Sequence, residues 1–446
     1  MRSRRLALIA AVVVLLVAGA TAAWHAHTGS PWRAKQVVLI TIDTLRADRL
    51  GVYGYQARPT SPNIDAWARS AVIFDHATAP APWTVPSLGA LHTGRYPAEV
   101  DSYTNFDGIH PDFTTLAELF HARGVTTASF NTHALLVRAR GGFRQGFDTV
   151  YPERINPEVE GEHKMPFSDT EPHLMEWLEA HAHEPFFLWI HDMDPHLPPT
   201  VGNPYLEAPG WERYDAEVHW MDEAMGRVLE KLHALGLGPD LLVVFTADHG
   251  EAFGDEHGLV GHQDDMYDEV LHVPLMMRYP TMGPPRRIDA PVELIDVYAT
   301  IVELAGLQVP EGTRSESLVP LLAGTRAQRV KPYAFHARYF FEDGRDWLAV
   351  RDKEWKLLAR TPDLDPSSTR SGAPRWDLDR TETYYELYHI TDDPGEQHDL
   401  FEQHPEQVAR LRQVLAEWGD SVAQGPTRAE LDDATREALR ALGYEH

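Results

Sequence analysis

Three unbroken apolar runs, each followed by polar residues, set the strongest limit on how this chain can fold. The runs are residues 37–42, 186–190 and 241–245, and they are rich in Val, Ile, Leu and Phe. Apolar runs of this length without alternation are typical of strands buried on both faces, which occur mainly in parallel sheets. Segments with helical periodicity separate them, the longest at residues 221–232. This alternation predicts an α/β fold with a mainly parallel or mixed central sheet sandwiched by helices.

The last part of the chain has a different character. Residues 347–350 and 355–358 resemble the two strands of a hairpin, and residues 386–390 alternate like a further strand. Apolar residues between positions 408 and 418 then share one face of a predicted helix. We therefore expect a smaller C-terminal α+β subdomain that contains a small antiparallel sheet and helices.

The N-terminus forms a further unit. Arginines at positions 2, 4 and 5 precede residues 6–23, a run without any charge. A positive flank, this apolar run and the small residues at 20–22 fit a cleaved signal peptide. They fit equally a single uncleaved membrane anchor. Both alternatives predict that the remaining chain lies outside the cytoplasm: periplasmic, secreted or held at the membrane by this segment.

These patterns predict three parts of the chain. Residues 1–24 are the signal peptide or anchor, residues 33–324 the α/β domain, and residues 325–446 the C-terminal subdomain.

The net charge limits the kinds of molecule that the chain can bind. Lys and Arg total 40 against 67 Asp and Glu, which gives a net charge of −27. Such acidity argues against a nucleic-acid partner, because phosphate backbones need a basic face. An anionic substrate would need a local cation for the same reason. The chain has no cysteine, which excludes disulfides and thiolate metal sites.

The polar residues after the first and third runs are candidates for binding a metal ion. Asp43 follows the first run, while Asp248 and His249 follow the third. Carboxylate and imidazole ligands suit Mg²⁺, Mn²⁺, Zn²⁺ or Ca²⁺, although the histidine argues against an all-oxygen Ca²⁺ cage. The alternative is that these residues only cap the turns that follow the strands.

Thr84 stands where a Pro-rich loop leads into an apolar helical period. The N-terminus of a helix favours an anion, because backbone N–H groups and the helix dipole point toward it. The alternative is an ordinary helix cap by a Thr or Ser hydroxyl. His196, His257 and His262 add to the polar residues that follow the runs. Serine-hydrolase and zincin chemistry are not indicated, since the Gly-x-Ser-x-Gly and His-Glu-x-x-His motifs are absent.

Taken in order, these segments resemble the sulfatase family of the alkaline phosphatase superfamily. The similarity extends from about residue 37 to residue 400. It rests on six collinear matches, at residues 43–48 with 53–55 and 61–65, 84–94, 194–196, 247–251 with 267–269, 386–388 and 393–396. The resemblance implies an alkaline phosphatase-like catalytic domain with a small C-terminal sheet.

The resemblance also implies the metal ligands. A divalent cation (Ca²⁺, Mg²⁺, Mn²⁺ or Zn²⁺) would be held by Asp43, Asp248 and His249, with Thr84 as a further ligand. Position 44, often a second acidic or amide ligand in the family, is Thr44 here, so that ligand is weak or missing.

The substrate-facing residues follow from the same comparison. His196 matches a substrate-facing histidine of the family, and His262 matches the Lys or His that follows the glycine of the metal loop. His133 ends a segment that reads Lys-Trp-His in arylsulfatases, and Asn131 replaces its lysine. Asn105 falls where phosphonate and phosphodiester hydrolases of the superfamily have an oxyanion-binding Asn.

The largest departure from the family is at the nucleophile. Sulfatases have Cys or Ser at the position of Thr84 and convert it to formylglycine. Threonine cannot form that aldehyde, because its β-carbon carries a methyl group, and Leu88 replaces the family's nearby Arg. Thr84 resembles instead the threonine that nucleotide pyrophosphatases/phosphodiesterases and phosphoethanolamine transferases use directly. We therefore predict that Thr84 attacks the ester itself and that His196 or His262 protonates the leaving oxygen.

A second cation is a further hypothesis. Asp192 and His196 have the Asp-x-x-x-His spacing of the superfamily's two-metal phosphodiesterases, and His262 would complete the set. Two cations would clamp the attacking and leaving oxygens. The alternative is that Asp192 is a solvated loop residue and that both histidines contact the substrate directly.

Three functions stay open at this point. One is hydrolysis of phospho- or phosphonoesters with Thr84 as nucleophile. Another is hydrolysis of sulfuric esters by an unmodified hydroxyl, or transfer of phospho-groups to a glycan or lipid. The last is a non-catalytic sulfatase-like binding protein. In each case the expected partner is an anionic ester, sulfated or phosphorylated, on a small molecule, glycan or lipid.

Overall fold

The computed structural model describes residues 34–422, except for positions 101, 106, 138–140, 154–164, 211, 238–240, 255–256, 263–265, 281, 339–344, 363–377 and 379–381. The predicted signal peptide or anchor and the final residues 423–446 lie outside these residues. Within the described part, no helix is long and apolar enough to cross a membrane.

The described strands form a large central sheet, a small C-terminal sheet and one short hairpin. They are β1 (Gln36–Ile42), β2 (Val72–Thr78), β3 (Thr126–Asn131), β4 (Thr149–Tyr151), β5 (Phe186–Asp192), β6 (Leu241–Ala247), β7 (Ala252–Phe253), β8 (Val260–Gly261), β9 (His272–Arg278), β10 (Arg286–Glu293), β11 (Ala334–Arg338), β12 (Arg345–Arg351), β13 (Trp355–Pro362) and β14 (Tyr384–His389).

The central sheet has the order β10-β2-β9-β6-β1-β5-β3-β4 among the described strands. Its pairs are parallel except where β9 runs antiparallel to β2 and β6. The three apolar runs are β1, β5 and β6 at the centre of this sheet, and nearly all their residues are fully buried. The prediction of a mixed, mainly parallel sheet from those runs is confirmed. Strands β5 and β6 each continue two residues beyond the predicted runs.

Helices cover the central sheet in two groups. Helices α1 and α4 pack against α5, whereas α2 packs against α3 and α7. The helices are α1 (Pro62–Ala68), α2 (Thr84–Thr93), α3 (Leu116–His121), α4 (Phe167–His181), α5 (Arg213–Ala234), α6 (Asp268–Leu271), α7 (Asp296–Leu304), α8 (Val319–Leu322) and α9 (Pro405–Val422).

The C-terminal subdomain is built on an antiparallel sheet of order β11-β12-β13-β14. Helix α9 packs on β12 and β13 through Leu411, Leu415 and Trp418, which are buried. The predicted hairpin, the further strand and the helix are therefore confirmed. Strand β11 was not predicted, because only five residues form it and they show no clear alternation.

Candidate active site

The carboxyl ends of neighbouring parallel strands meet at one edge of the central sheet. Ile42, the last residue of β1, lies opposite Asp192 of β5 and Ala247 of β6. Asp43 and Asp248 directly follow Ile42 and Ala247, so they lie side by side. The N–H of Asp43 donates to the carbonyl of Asp192 at 2.8 Å. This is the edge at which open α/β sheets bind ligands.

Three buried side chains at this edge are arranged to hold a cation. One ligand atom each from Asp43, His191 and Asp248 lies within 4.8 Å of the others. Both oxygens of Asp43, Oδ2 of Asp248 and Nε2 of His191 are buried and make no hydrogen bond within the described part of the chain. Orphaned buried carboxylates need a positive partner. The donor set therefore fits a divalent cation, and His191 is a member that sequence reasoning missed.

His249, the predicted ligand, lies beside this group. Its Nδ1 is 2.9 Å from the carbonyl oxygen of Gly250, which can only accept, so Nδ1 carries the proton. Nε2 is then a lone-pair donor, 3.6 Å from Oδ2 of Asp248 and 4.0 Å from Oδ1 of Asp43. Burial, followed by the charge of His262, lowers the pKa of His249 to about 3. A neutral imidazole of this orientation suits a metal ligand.

The two carboxylates have opposite pKa shifts. Burial alone would raise the pKa of Asp43, but the approach of His191 to 3.5 Å and the charge of His196 hold it well below its usual range. Burial, and then the charge of Asp43, raise the pKa of Asp248 well above its usual range. Two negative charges side by side in a buried site oppose each other, and a divalent cation between them would relieve that repulsion.

Thr44 orients one of these carboxylates through its backbone. Its N–H donates to Oδ1 of Asp248 at 3.2 Å, and its carbonyl accepts from the hydroxyl of Tyr214 at 2.7 Å. Its φ of 56° lies in the left-handed region, which is strained for a β-branched residue. Such strain persists where the surroundings enforce it, as they do at functional sites.

Thr84 is the first residue of α2 and is buried beside His249, one of the candidate cation ligands. Its Oγ1 lies 3.3 Å from Nε2 of His249. The alternative of a Thr or Ser helix cap is wrong, because Trp83 occupies the cap position and no side chain caps it. Ser87, one turn later, donates instead to the carbonyl of Asp248 at 2.7 Å. The Thr84 hydroxyl therefore contacts His249 and does not cap the helix.

Asn105 and His133 flank this hydroxyl and the carboxylates. Oδ1 of Asn105 accepts the N–H of Val85 at 3.0 Å, which leaves the amide nitrogen as its remaining donor. Nδ1 of His133 accepts the N–H of Leu135 at 3.0 Å, and its Nε2 lies 3.7 Å from Oδ2 of Asp43. The backbone therefore holds one end of each of these two side chains.

A second group of possible ligands lies next to the first. Ligand atoms of His196, Glu251 and His262 lie within 4.8 Å of one another, and the rings of His249 and His262 are 4.5 Å apart. Both carboxylate oxygens of Glu251 approach Nδ1 of His262, at 3.2 and 3.3 Å. Burial alone would lower the pKa of His262, but the charge and hydrogen bond of Glu251 outweigh it and raise that pKa.

Asp192 has a different position from the one expected of a ligand in this second group. It is the last residue of β5 and is buried, and its Oδ1 accepts the N–H of Asp194 at 3.0 Å. The structure groups Glu251, rather than Asp192, with the two histidines. Glu251 lies two residues after His249, and this spacing is the signal that sequence reasoning could have used.

Comparison with protein families and known proteins places this site in context. Residues 35–307 match the model of the sulfatase family, and residues 255–367 match the N-sulphoglucosamine sulphohydrolase C-terminal model. The chain is 28% identical to an ulvan-active sulfatase of Formosa agariphila over 332 residues, which cover 64% of each of the two proteins. It is 26% identical to arylsulfatase A of Homo sapiens, with 82% of this chain and 83% of that protein covered.

A solved structure has a similar fold at low sequence identity. The phosphonate monoester hydrolase of Agrobacterium radiobacter aligns with a TM-score of 0.68 and 20% identity, over 87% of this chain and 95% of that one.

Proposed function

The chain belongs to the sulfatase family of ester hydrolases, and we propose that it hydrolyses phospho- or phosphonoesters outside the cytoplasm, with Thr84 as the direct nucleophile. The observation that carries this proposal is the buried Thr84 hydroxyl, 3.3 Å from Nε2 of His249 at the first turn of α2. A hydroxyl beside carboxylate and imidazole ligands is placed to be activated for attack.

The preference for phosphorus follows from the side chain itself. Threonine cannot form the aldehyde that expels sulfate in sulfatases, whereas a phospho-threonine ester can be released by water. Attack of Oγ1 on phosphorus would form the Thr84 ester and break the bond to the leaving alcohol. Attack of water would then break the ester and restore the hydroxyl. A divalent cation bound by Asp43, His191, Asp248 and His249 would neutralise ester oxygens and lower the pKa of the hydroxyl.

The neighbouring residues have distinct roles in this scheme. The amide nitrogen of Asn105 holds a nonbridging oxygen of the ester, since its Oδ1 is already engaged by Val85. His262, paired with Glu251, protonates the leaving oxygen, and His196 lies beside it, with ring centroids 5.4 Å apart. His133, close to Asp43, keeps that carboxylate oriented.

A second cation is the alternative to this role of His262, because a nitrogen that binds a cation cannot also donate a proton to the leaving oxygen. His196 and His262 would then hold it together with Glu251, which would supply the carboxylate that we first assigned to Asp192. On this alternative, metal analysis at saturation should give two equivalents for the wild type and one for Glu251→Gln. Two equivalents should remain in Asp192→Ala if that carboxylate is not a ligand. One equivalent in the wild type would show that Glu251 and His262 act only as a hydrogen-bonded pair.

The test of the nucleophile is a set of substitutions at Thr84. Chromogenic sulfate, phosphate, diester and phosphonate substrates are assayed with Mg²⁺, Mn²⁺, Zn²⁺ and Ca²⁺. Thr84→Ala should reduce turnover by at least about 1,000-fold and leave metal binding largely intact, whereas Thr84→Ser should keep substantial activity. Thr93→Ala is the matched control, because Thr93 lies in the last turn of the same helix and bonds only the carbonyl of Gly89 in its described contacts. Wild-type turnover by Thr84→Ala would refute the mechanism.

The sulfatase relatives favour a second candidate. The ulvan-active sulfatase and arylsulfatase A are named for sulfuric esters. Hydrolysis of a sulfated glycan by the unmodified hydroxyl is therefore the alternative that the same substrate panel decides. Much faster cleavage of sulfate than of every phosphorus ester would select it, and release of product only in the presence of an acceptor glycan or lipid would indicate a transferase. Absence of both turnover and metal binding would select a binding protein.

The location outside the cytoplasm needs a separate experiment. It is motivated by the arginine-flanked apolar run at residues 6–23. A reporter fused after Trp32 should be active only when it is exported, and activity confined to the cytoplasm would contradict this part of the proposal.

A further inference from the structure

Glu251 is held in place by contacts from elsewhere in the chain. Residues 248–251 connect β6 to β7 and belong to no helix or strand. Strands β7 and β8 pair in antiparallel register with Ala252 opposite Gly261, so Glu251 and His262 are the next residues outward and face each other. The Glu251 carboxylate lies 3.2 Å from Nδ1 of His262. The contact between these two side chains therefore depends on how the short strand pair is anchored.

The side chain of Arg46 anchors the start of this strand pair. Its Nη1 donates to the carbonyl of Glu251 at 3.1 Å, and its guanidinium carbon lies 5.7 Å from the centre of the Phe253 ring. Arg46 thus contacts the residue before β7 and the last residue of β7. A planar guanidinium with several N–H groups can reach such partners at the same time, whereas a lysine ammonium is a compact charge on a flexible stem.

Arg46 is itself held in one orientation. Only 2% of the residue is exposed. Nε and Nη2 donate to the two carboxylate oxygens of Asp48, each at 2.8 Å, and Nη1 also approaches Oε2 of Glu269 at 3.4 Å. A bidentate pair of this kind fixes the plane of the guanidinium. The N–H group that reaches the Glu251 carbonyl therefore has a defined direction.

The backbone of Arg46 is joined to the edge of the sheet that carries the candidate cation ligands. The Tyr214 hydroxyl accepts the N–H of Arg46 at 3.0 Å and donates to the carbonyl of Thr44 at 2.7 Å. The N–H of Thr44 donates in turn to Oδ1 of Asp248. The ring of Tyr214 also lies 4.5 Å from that of Phe253. Arg46 and Tyr214 thus connect the segment after β1 with the strand pair β7-β8.

The approach of Arg46 to the chain before β7 is close. A β-carbon at Gly250 would lie 2.3 Å from the carbonyl oxygen of Glu269 and 3.2 Å from Cγ of Arg46. The backbone between His249 and Glu251 therefore lies directly against the Arg46 side chain. A change in that side chain would be felt at Glu251 first.

We propose that Arg46 is a positioning residue for protonation of the leaving oxygen: it fixes Glu251, and through Glu251 it orients the His262 ring that donates the proton. This inference rests on the proposed function, because it takes His262 to be the acid. It gives Arg46 no contact with the substrate or with a cation.

The kinetic test uses leaving groups of different acidity. The 2,4-dinitrophenyl and phenyl esters are made from the acid that the wild type hydrolyses fastest, and only the phenolate of the second needs a proton as it leaves. A general acid contributes about 100-fold or more, so Arg46→Lys should lower kcat/KM for the phenyl ester about 30-fold and for the dinitrophenyl ester less than about threefold. An equal loss for both esters would overturn the proposal.

His262→Gln is the reference in the same assay. If His262→Gln lowers kcat/KM mainly for the phenyl ester and Arg46→Lys does not, this inference fails and the proposed function stands. If His262→Gln lowers both esters equally, the acid role of His262 is wrong and the inference falls with it. Adding Arg46→Lys to His262→Gln should cost less than about twofold more, because both changes act on one proton transfer.

A measurement without substrate tests the contact between Glu251 and His262. A carboxylate can only accept, so Nδ1 of His262 donates to it, and the resonance of this proton should lie downfield in the Mg²⁺-loaded wild type. Its absence from His262→Gln assigns it. In Arg46→Lys we expect the resonance to move upfield or to disappear through exchange with water. An unchanged resonance in Arg46→Lys, or none in the wild type, would overturn the inference whether or not any ester is hydrolysed.

Arg329→Lys is the matched structural control. The side chain of Arg329 is 2% exposed, like that of Arg46, and it pairs with Glu293 at 2.7 Å and with Asp296 at 2.8 Å. If Arg46 had only a structural role, both variants would lower the melting temperature and neither would change the ratio of kcat/KM between the two esters. We expect that ratio to change only in Arg46→Lys.

Asp48→Ala is a milder variant for the case that Arg46→Lys does not fold. Asp48 is 53% exposed, and its loss releases Nε and Nη2 of Arg46 without a change in the buried side chain. The phenyl ester should again lose more than the dinitrophenyl ester, by a smaller factor. An unchanged ratio in Asp48→Ala, together with an unchanged His262 resonance, would overturn the proposal.

Discussion

The hydroxyl of Thr41 connects two side chains beneath the predicted cation site. It accepts the indole N–H of Trp189 at 2.9 Å and lies 2.9 Å from Nδ1 of His191, while the carbonyl of Ile190 is 3.3 Å away. With a cation bound at Nε2 of His191, the hydroxyl would donate to that carbonyl, and Nδ1 of His191 would carry the proton and donate to Oγ1. Nε2 would then keep its lone pair for the cation. At the residue scale, a buried threonine of β1 thus sets the form in which His191 can bind a metal.

Thr41→Val should therefore weaken metal binding by about 10–100-fold, because a methyl group cannot orient the imidazole. The dissociation constant of Mn²⁺ or Zn²⁺, measured by competition with a chelating dye, checks this. Thr78→Val is the control, since Thr78 is equally buried in β2, which two other strands separate from β1, and its hydroxyl contacts the carbonyl of Val292. Equal affinities of Thr41→Val and wild type would contradict the assignment.

At the scale of elements, helix α1 is capped by another helix. Its own cap residue, Ser61, makes no side-chain cap bond. Asp222 of α5 instead accepts the N–H groups of Asn63 and Ile64 at 3.0 and 2.8 Å, and the Asn63 amide at 2.8 Å. A carboxylate at a helix N-terminus accepts from N–H groups that have no partner within the helix. Its negative charge also interacts favourably with the positive end of the helix dipole. Residues 61–65, one of the segments that resemble the sulfatase family, are therefore held by this contact between α1 and α5.

Asp222→Ala should lower the free energy of unfolding by about 2 kcal/mol, since three hydrogen bonds to a buried carboxylate are lost and their donors stay unpaired. Glu230→Ala is the comparison, because Glu230 is exposed on the same helix and its loss should change stability by less than about 0.5 kcal/mol. Urea unfolding followed by circular dichroism measures both. Similar midpoints for the two variants would contradict the capping role.

At the scale of the whole molecule, a buried ionic contact fastens the C-terminal sheet to the catalytic part. Asp268 of α6 pairs with Arg351 at 2.7 Å and with Lys356 at 2.9 Å, and Lys356 also pairs with Glu396 at 2.7 Å. Shortly after Asp268, the carbonyl of Val270 accepts the N–H of Gly250 at 2.7 Å. The small sheet therefore supports the loop that carries Asp248 and His249.

Asp268→Asn should destabilise the fold by about 3–5 kcal/mol at pH 7, because two buried cations lose a charge partner. Burial alone would raise the pKa of Asp268, but the charges of Arg351 and Lys356 hold it well below its unfolded value of 3.8. A lowered pKa stabilises the fold above the unfolded value and loses that contribution as the pH falls.

The difference in unfolding free energy between wild type and Asp268→Asn should thus shrink below about pH 4. Asp289→Asn is the control, since Asp289 pairs with Lys353 at the surface and is 63% exposed, so its loss should cost less than about 1 kcal/mol. A difference for Asp268→Asn that is independent of pH would show that the loss of packing, and not of charge, is responsible.

Much of the fold could be predicted from local patterns. Strands β1, β5 and β6 are buried on both faces, so most of their residues are apolar, and this pattern is visible without knowledge of the partners. The ends of β1 and β6 carry Asp43 and Asp248 for the same reason, because polar residues begin where burial ends. The position of Thr84 at a helix N-terminus was likewise predicted from the Pro-rich loop before it.

The sequence by itself thus determined the class of sheet, the edge at which the site lies and most of its candidate residues. Only the tertiary structure decided which side chains meet there: His191 beside Asp43, Glu251 beside His262, and Arg46 on Phe253. The physical reason is that burial has a period along the chain, whereas the pairing of distant side chains depends on strand order and on loops that fold back.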